Sequence, residues 1–333
     1  MIFHSRHLDA FYDRFNNTID GVENMENRTI NRRDFLKSQL KAIAWMAVGT
    51  SGLLIPRSLI AAGTPDLSIV KGPAGKAVRA AVDLLGGMKS FVKPGHKVVI
   101  KPNMSFGNGL KWGTTTHPEV VRELVAMCKE AGAMKVQVLD HTMNGPEFCT
   151  REFKAACAVF NEDIVTAVQD FQFYKRTKIT DSWFGFNKTD IIKDVLSADV
   201  LIAAPVAKQH YAADVSLSMK GMMGLVYDRR EMHQTGLNTA IVDLAAFLRP
   251  DLVVIDASRV LSTHGPTGPG KVLPMNMVIA SRDMVAADAQ AVKMFEWEGK
   301  RKEPKQVDHI RLAHEKGIGR MDIENLNVKQ IEV

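Results

Sequence analysis

Six apolar runs of strand length, separated by stretches of helical periodicity, constrain this chain more than any other feature. DLSIV (66–70), KVVIK (97–101), KVQVLD (135–140), DVLIAAPV (199–206), DLVVIDA (251–257) and MNMVIA (275–280) are rich in Val and Ile. Between them lie AGKAVRAAVDLLGGM, PEVVRELVAMCKEAG (118–132), FCTREFKAACAVF (148–160) and TAIVDLAAFL (239–248), and after the last comes DMVAADAQAVKMF (283–295); all five read as helices. Pro118 suits a first helical position and Gly132 a stop. DVLIAAPV is apolar on both faces, as a strand of a sheet covered on both sides must be. Repeated strand–helix–strand units predict an α/β fold with a mainly parallel sheet, helices on both faces and the ligand site at the carboxyl ends of the strands. DIVTAVQ and FYKRTKIT read as shorter, half-exposed strands. A helix near Lys305–Lys316 and a strand near Leu326–Val333 close the pattern.

With 333 residues, 46% hydrophobic and 24% charged, the chain is ordinary globular material, and residues 63–333 are expected to form a single α/β domain. Its formal charge is +6. Residues 1–62 carry eight Lys/Arg against six Asp/Glu, leaving 35 against 31 beyond them. That excess is too mild and too dispersed for nucleic-acid binding. Cys128, Cys149 and Cys157 form no CxxC pair, so cysteine alone encodes neither an iron–sulfur cluster nor a structural zinc site. Cys149 and Cys157 would stand roughly 12 Å apart on one helix, too far for a disulfide.

Residues 31–37, NRRDFLK, precede a modest apolar segment, Ala42 to Ile55, and the small residues Ala61, Ala62 and Gly63. This arrangement resembles a twin-arginine export signal, although Asn31 stands where Ser or Thr is usual. The resemblance implies the twin-arginine translocase as a partner, a periplasmic or other extracytoplasmic location, and no stable membrane span after signal cleavage. An uncleaved signal anchor and a cytoplasmic amphipathic helix remain open. Residues 1–62 are accordingly read as an extension plus signal, and Met25 opens a more economical start.

In this architecture the loops after strands carry function. After KVVIK comes KPNMSFGNGLKWGTTTHPE, ending at His117, with Thr114, Thr115 and Thr116 available to cap the next helix. After DVLIAAPV, Lys208 and His210 are expected to emerge from the strand end, followed by SLSMKGMMG with Lys220 set among small residues and methionines. An ammonium group so placed is desolvated, which makes it a base, an amine nucleophile or an anion anchor. His233 follows in RREMHQTG. Gly265-Pro-Thr-Gly-Pro-Gly270-Lys271-Val272 superficially fits a phosphate-binding loop, but Val272 lacks the hydroxyl that would hold magnesium, and a strand follows. A tight turn bringing Gly265, Gly268 and Gly270 to the site is the better reading, with His264 beside it. Asp140-His141, Asp256 and Asp283 fall at or just past strand ends. His309 and His314 are five apart, a spacing unsuited to sharing a metal on one helical face.

IKPNM, TTHPEVVRELV, ADVLIAAPVAKQH, VSLSMKGMMG, RPDLVVIDA, HGPTGPG and IASRDMVAADA occur in an order that resembles the domain of unknown function 362 (DUF362) family, over roughly residues 95–320. Members more often show Lys-Thr-His and Lys-Asn where this chain has Lys208-Gln209-His210 and Lys220-Gly221. Some carry a ferredoxin-like cysteine segment that this chain lacks. A more distant similarity is to the nickel-pincer lactate racemases, in which a Thr-His, a second histidine, a lysine ten residues on and a downstream histidine occur in order. That resemblance implies proton transfer by His117 and His210, a cofactor anchored by Lys220, and nickel or another divalent metal bound by His233.

Three functions fit these residues. The first is an exported enzyme acting on a small anionic substrate through His117, His210, Lys220 and His233, with a metal cofactor and racemase-like acid/base chemistry. The second is a non-catalytic module in which Lys208, Lys220 and Lys271, with glycine-rich backbone amides, capture a carboxylate or phosphate. The third is an accessory protein of an exported redox complex.

Overall fold

Successive side chains of a strand face opposite sides of a sheet, and here the two sides build two separate cores. The computed structural model describes residues 63–180 and 182–333; the 1–62 extension, with its twin-arginine segment and Met25, lies outside the described residues. In chain order the first elements are β1 (Leu67–Lys71), α1 (Ala74–Leu84), β2 (Lys97–Pro102), α2 (Pro118–Glu130), β3 (Lys135–Asp140), α3 (Pro146–Cys157) and β4 (Val165–Ala167). Next come β5 (Tyr174–Lys178), β6 (Lys188–Ile192), α4 (Lys193–Leu196), β7 (Val200–Ala204), β8 (Val206–His210), β9 (Asp214–Ser216), α5 (Ser218–Gly221), α6 (Arg230–Gln234) and α7 (Leu237–Leu248). β10 (Leu252–Leu261), β11 (Val272–Leu273), β12 (Met277–Ser281), α8 (Met284–Met294), β13 (Glu296–Trp297), β14 (Lys300–Arg301), α9 (Asp308–Glu315) and β15 (Val328–Glu332) complete the series.

The main sheet runs β15-β1-β12-β10-β7-β2-β3-β4. It is mostly parallel, with β12 antiparallel to both of its neighbours. Val98, Ile100, Ile202 and Val254 face the core beneath α1 and α2. Val99, Leu201, Val253 and Ile255 face the opposite core, with α7, α8 and α9. Every residue of β7 is buried, as the doubly apolar run predicts. Among the described residues β5 and β6 form a separate two-stranded antiparallel ribbon, with an isolated bridge from Ile191 to Val226.

Two local readings are corrected. Lys208, Gln209 and His210 do not follow the end of a strand; they form the body of β8, and all three are buried. Pro205 has no N–H to donate, so the ladder breaks there and the chain resumes as a second strand. β10 pairs with β7 at Leu252 and Val253, then with β8 at Asp256 and Leu261. The cap of α2 is His117 itself, whose Nδ1 accepts from the Glu119 amide at 3.1 Å. Thr116 is committed elsewhere, its hydroxyl donating to Ala204 O and accepting from the Asn103 amide.

Candidate functional site: a buried cationic cluster

β2 and β3 end side by side, and the penultimate residue of β2 forms an ion pair with the last residue of β3. Lys101 Nζ lies 3.0 Å from Asp140 Oδ1, with both side chains buried. Oδ1 meets no donor at a hydrogen-bonding angle, whereas Oδ2 accepts from the Met104 amide (3.0 Å) and the Ser105 hydroxyl (3.2 Å). Lys101 also donates to Pro102 O. Against this pair lies Gly224, the last residue of SLSMKGMMG. A β-carbon there would stand 2.2 Å from Asp140 Oδ1 and 2.7 Å from Lys101 Nζ. Only glycine lets that backbone approach so closely.

β8 supplies Lys208, which is 1% exposed. Its Nζ donates to Asn103 Oδ1 (3.0 Å) and Thr114 O (2.8 Å) and lies 4.7 Å from the centre of the Phe106 ring. Burial, then the charge of Lys220, pushes this ammonium well below its usual range, with Asp140 opposing. α5 supplies Lys220, and the short helix is held at its start by buried Asp288 of α8. That carboxylate accepts from the Ser218 amide (2.9 Å), the Ser218 hydroxyl (2.7 Å) and the Met219 amide (3.0 Å). Burial raises Asp288 to about 7 against those three bonds. Lys220 itself is partly exposed, and among the described residues nothing hydrogen-bonds to its Nζ. Burial, then Arg229 and Lys101, lowers it to about 7.

Arg229 completes the cluster, donating through Nη2 to His141 O while its Nε is buried without a partner. Burial lowers Arg229, and Asp140 opposes the shift. Four cationic side chains thus act on one another, and Asp140 is the one carboxylate whose charge acts on Lys101, Lys208 and Arg229 among the described residues. In a low dielectric such an excess is costly unless an anion joins it.

His210 lies beside this cluster. Its Nδ1 accepts from the Ala212 amide at 3.1 Å, which assigns the ring proton to Nε2, and the exposed Tyr211 stacks on it at 5.1 Å. Burial, followed by Lys220, Lys208, His233 and His309, lowers His210 to about 3. At neutral pH it is therefore an uncharged donor, and its lone pair is occupied by its own backbone. His309 of α9 is fully buried, with Nδ1 3.2 Å from Asn238 Oδ1 and Nε2 without a partner. Burial and Lys220 lower it to about 3. His233 is exposed on α6 and is lowered by desolvation and then by Lys220.

The charge of Lys220 acts on Lys208, His210 and His233, which ties these four residues together, and His117 answers to a different set of charges. The charges acting on His117 are those of Arg259, Asp256, Glu119 and Glu152, none of which acts on His210. Its amide donates to Asp256 Oδ2 at 2.7 Å, and its ring borders an open cleft with Lys76 and Arg122. The turn glycines act through backbone approach. The Gly265 amide donates to Gln209 Oε1 (2.6 Å) and the Gly268 amide to His264 O (3.0 Å). A β-carbon on Gly265 would stand 1.8 Å from Gln209 O, and one on Gly270 1.9 Å from Thr263 O. A metal at His233 finds no closed ligand set, because among the described residues no three His, Cys, Asp or Glu side chains converge.

Sequence reading passed over Lys101, Arg229, Gly224, Asp288 and His309 as site residues. For Lys101 a signal was present: a lysine closing an apolar strand, KVVIK, at the sheet edge where ligands bind.

The family described as "Domain of unknown function (DUF362)" matches residues 98–293, more than half of the chain. A thylakoid-associated protein of Synechocystis sp. is 27% identical over 220 residues, covering 64% of this chain and 67% of that protein. Two solved structures are similar at low level. The lactate racemase apoprotein from Thermoanaerobacterium thermosaccharolyticum has a TM-score of 0.40 and 13% identity, over 70% of this chain. A Thermotoga maritima protein has a TM-score of 0.37 and 11% identity, over 66% of this chain. The chain spans 57% and 59% of their lengths.

Proposed function

The chain belongs to this DUF362 family, and on that footing we propose that it binds a small anionic substrate at the cluster of Lys101, Lys208, Lys220 and Arg229 and acts on it as an enzyme. One observation carries the reading: four interacting cations are gathered around one carboxylate, Asp140, whose charge acts on Lys101, Lys208 and Arg229 while Lys220 is left without a counter-charge. A carboxylate or phosphate entering the cluster restores charge balance, and the orphaned Arg229 Nε supplies a donor for it. His210 presents its Nε2 proton to the bound anion as a neutral hydrogen-bond donor. Lys220, the cation without a partner, is the group that gains and loses a proton near neutrality. His117 supports the loop through its cap to α2 instead of sharing the proton work with His210. Residues 63–333 are read as the DUF362-like domain that holds this site.

Calorimetric titration with pyruvate, malonate and phosphate at fixed ionic strength tests the reading. At least one anion is expected to bind the full chain at a single site, with affinity falling tenfold or more in Lys208→Met and in Arg229→Met. Absence of binding by all three, or equal affinity in the variants, would overturn it.

We further propose export by the twin-arginine route to an extracytoplasmic compartment. The NRRDFLK segment and the similarity to a protein described as thylakoid-associated support this. Among the described residues no helix is long and apolar enough to cross a membrane. Fractionation of tagged full chain is expected to place it outside the cytoplasm in normal cells and inside it in cells lacking the translocase. Unchanged export in the deficient cells would remove the proposal.

A further inference from the structure

Among the cations of the cluster, Lys220 differs in kind. Lys101 is paired with Asp140, Lys208 is held by Asn103 and Thr114, and Arg229 donates to His141 O. Lys220 Nζ has no such partner among the described residues and lies on a partly exposed residue. Its backbone, by contrast, is firmly placed, because Asp288 takes both amides and the hydroxyl that open α5. A free amine on a fixed helix beside fixed cations is the arrangement that a nucleophile for an anionic carbonyl compound requires.

We propose that Lys220 is an amine nucleophile that condenses with the carbonyl group of a small 2-oxo acid to form an imine. The proposal rests on the anion-binding reading above and names its substrate class. The acid's carboxylate pairs with the cations that surround Lys220, while the adjacent carbonyl oxygen accepts from His210 Nε2. The Nζ lone pair attacks the carbonyl carbon, a C–N bond forms, and the C–O bond breaks. The oxygen leaves as water with the two amine protons, and no oxidant or reductant is consumed.

The groups that set the amine's state come from every neighbouring element. Arg229 and Lys101 of β2 act on the amine directly, it acts in turn on Lys208 and His210 of β8, His233 of α6 and His309 of α9, and Asp288 of α8 holds the start of α5. Desolvation and the cations place Lys220 at about 7, so a large share is unprotonated at neutral pH, unlike a solvated lysine with its ordinary value of 10.5.

Reductive trapping tests the proposal on the full chain. Incubation with pyruvate and cyanoborohydride is expected to add the mass of the keto acid less one oxygen, and peptide mapping is expected to locate it at Lys220. Acetone, which has the carbonyl but not the carboxylate, is expected to add nothing there. The trapping rate at Lys220 is expected to rise through about pH 7, whereas surface lysines rise toward 10.5. Lys220→Arg keeps the charge and is expected to lose the adduct. Should that variant fail to fold, the map of the unaltered chain decides alone. Calorimetric binding of pyruvate with no adduct at Lys220 would overturn this inference and leave the anion site standing. Neither binding nor adduct would overturn both. Equal labelling by acetone, or labelling confined to surface lysines, also overturns the inference.

Discussion

Asp140 Oδ1 lies 3.0 Å from Lys101 Nζ at the adjoining ends of two parallel strands, and this buried pair is the floor on which the other cations rest. Removing the carboxylate leaves Lys101 and Arg229 without a counter-charge in a dry setting, a change that costs about 3–5 kcal/mol. Asp140→Asn is expected to lower the urea midpoint accordingly, and saturating malonate to restore part of the loss. Wild-type stability in this variant would contradict the pairing.

Gly224 gives a steric test of the same floor. Gly224→Ala drives a methyl group against Asp140 and Lys101 and is expected to destabilise by about 1–3 kcal/mol and to weaken anion binding. Gly221→Ala is the control, since its β-carbon would meet only Pro205 at 3.9 Å. Calorimetry and denaturation on both variants separate close approach from helix propensity, and equal effects would contradict the geometry.

The two histidines that the racemase resemblance pairs are expected to separate in solution. His117→Ala loses a helix cap worth about 1 kcal/mol and leaves anion affinity unchanged. His210→Ala loses a donor to the anion and is expected to weaken binding several-fold. Equal losses of affinity in the two variants would restore the paired-histidine reading.

Lys220 gives the site its pH dependence. With a folded value of about 7 against 10.5 when unfolded, the unfolded chain binds more protons between those limits. Stability contributed by this group therefore rises as pH increases from about 7 to 10.5. The ammonium form of Lys220 adds to the charge that the other cations already present, so anion affinity is expected to rise as pH falls through about 7, whereas imine formation, which uses the free amine, falls. Lys220→Met is expected to flatten both profiles, read by urea denaturation and by calorimetry across pH. Profiles unchanged in that variant would contradict the assignment.

The strands were legible because burial on both faces demands unbroken apolar runs, and Val99, Leu201 and Ile255 leave no other placement. Lys208 and His210 were legible as site residues but not as strand residues, because the break at Pro205 followed by renewed pairing depends on β10, far along the chain. Lys101, Asp140 and Arg229 meet only through the sheet order, which no local pattern states. His309 looked unremarkable at its spacing from His314, and its interest is the unpartnered Nε2 under the field of Lys220.

The central claim is that buried excess positive charge takes up an anion. The most direct measurement is the thermal midpoint of the full chain against malonate concentration, with chloride replaced to hold ionic strength constant. A ligand at a hundred times its Kd stabilises by about 2.7 kcal/mol. The account predicts a midpoint that rises with malonate in the wild-type chain and stays flat in Lys208→Met. The same rise in chloride, or an undiminished rise in Lys208→Met, would contradict it.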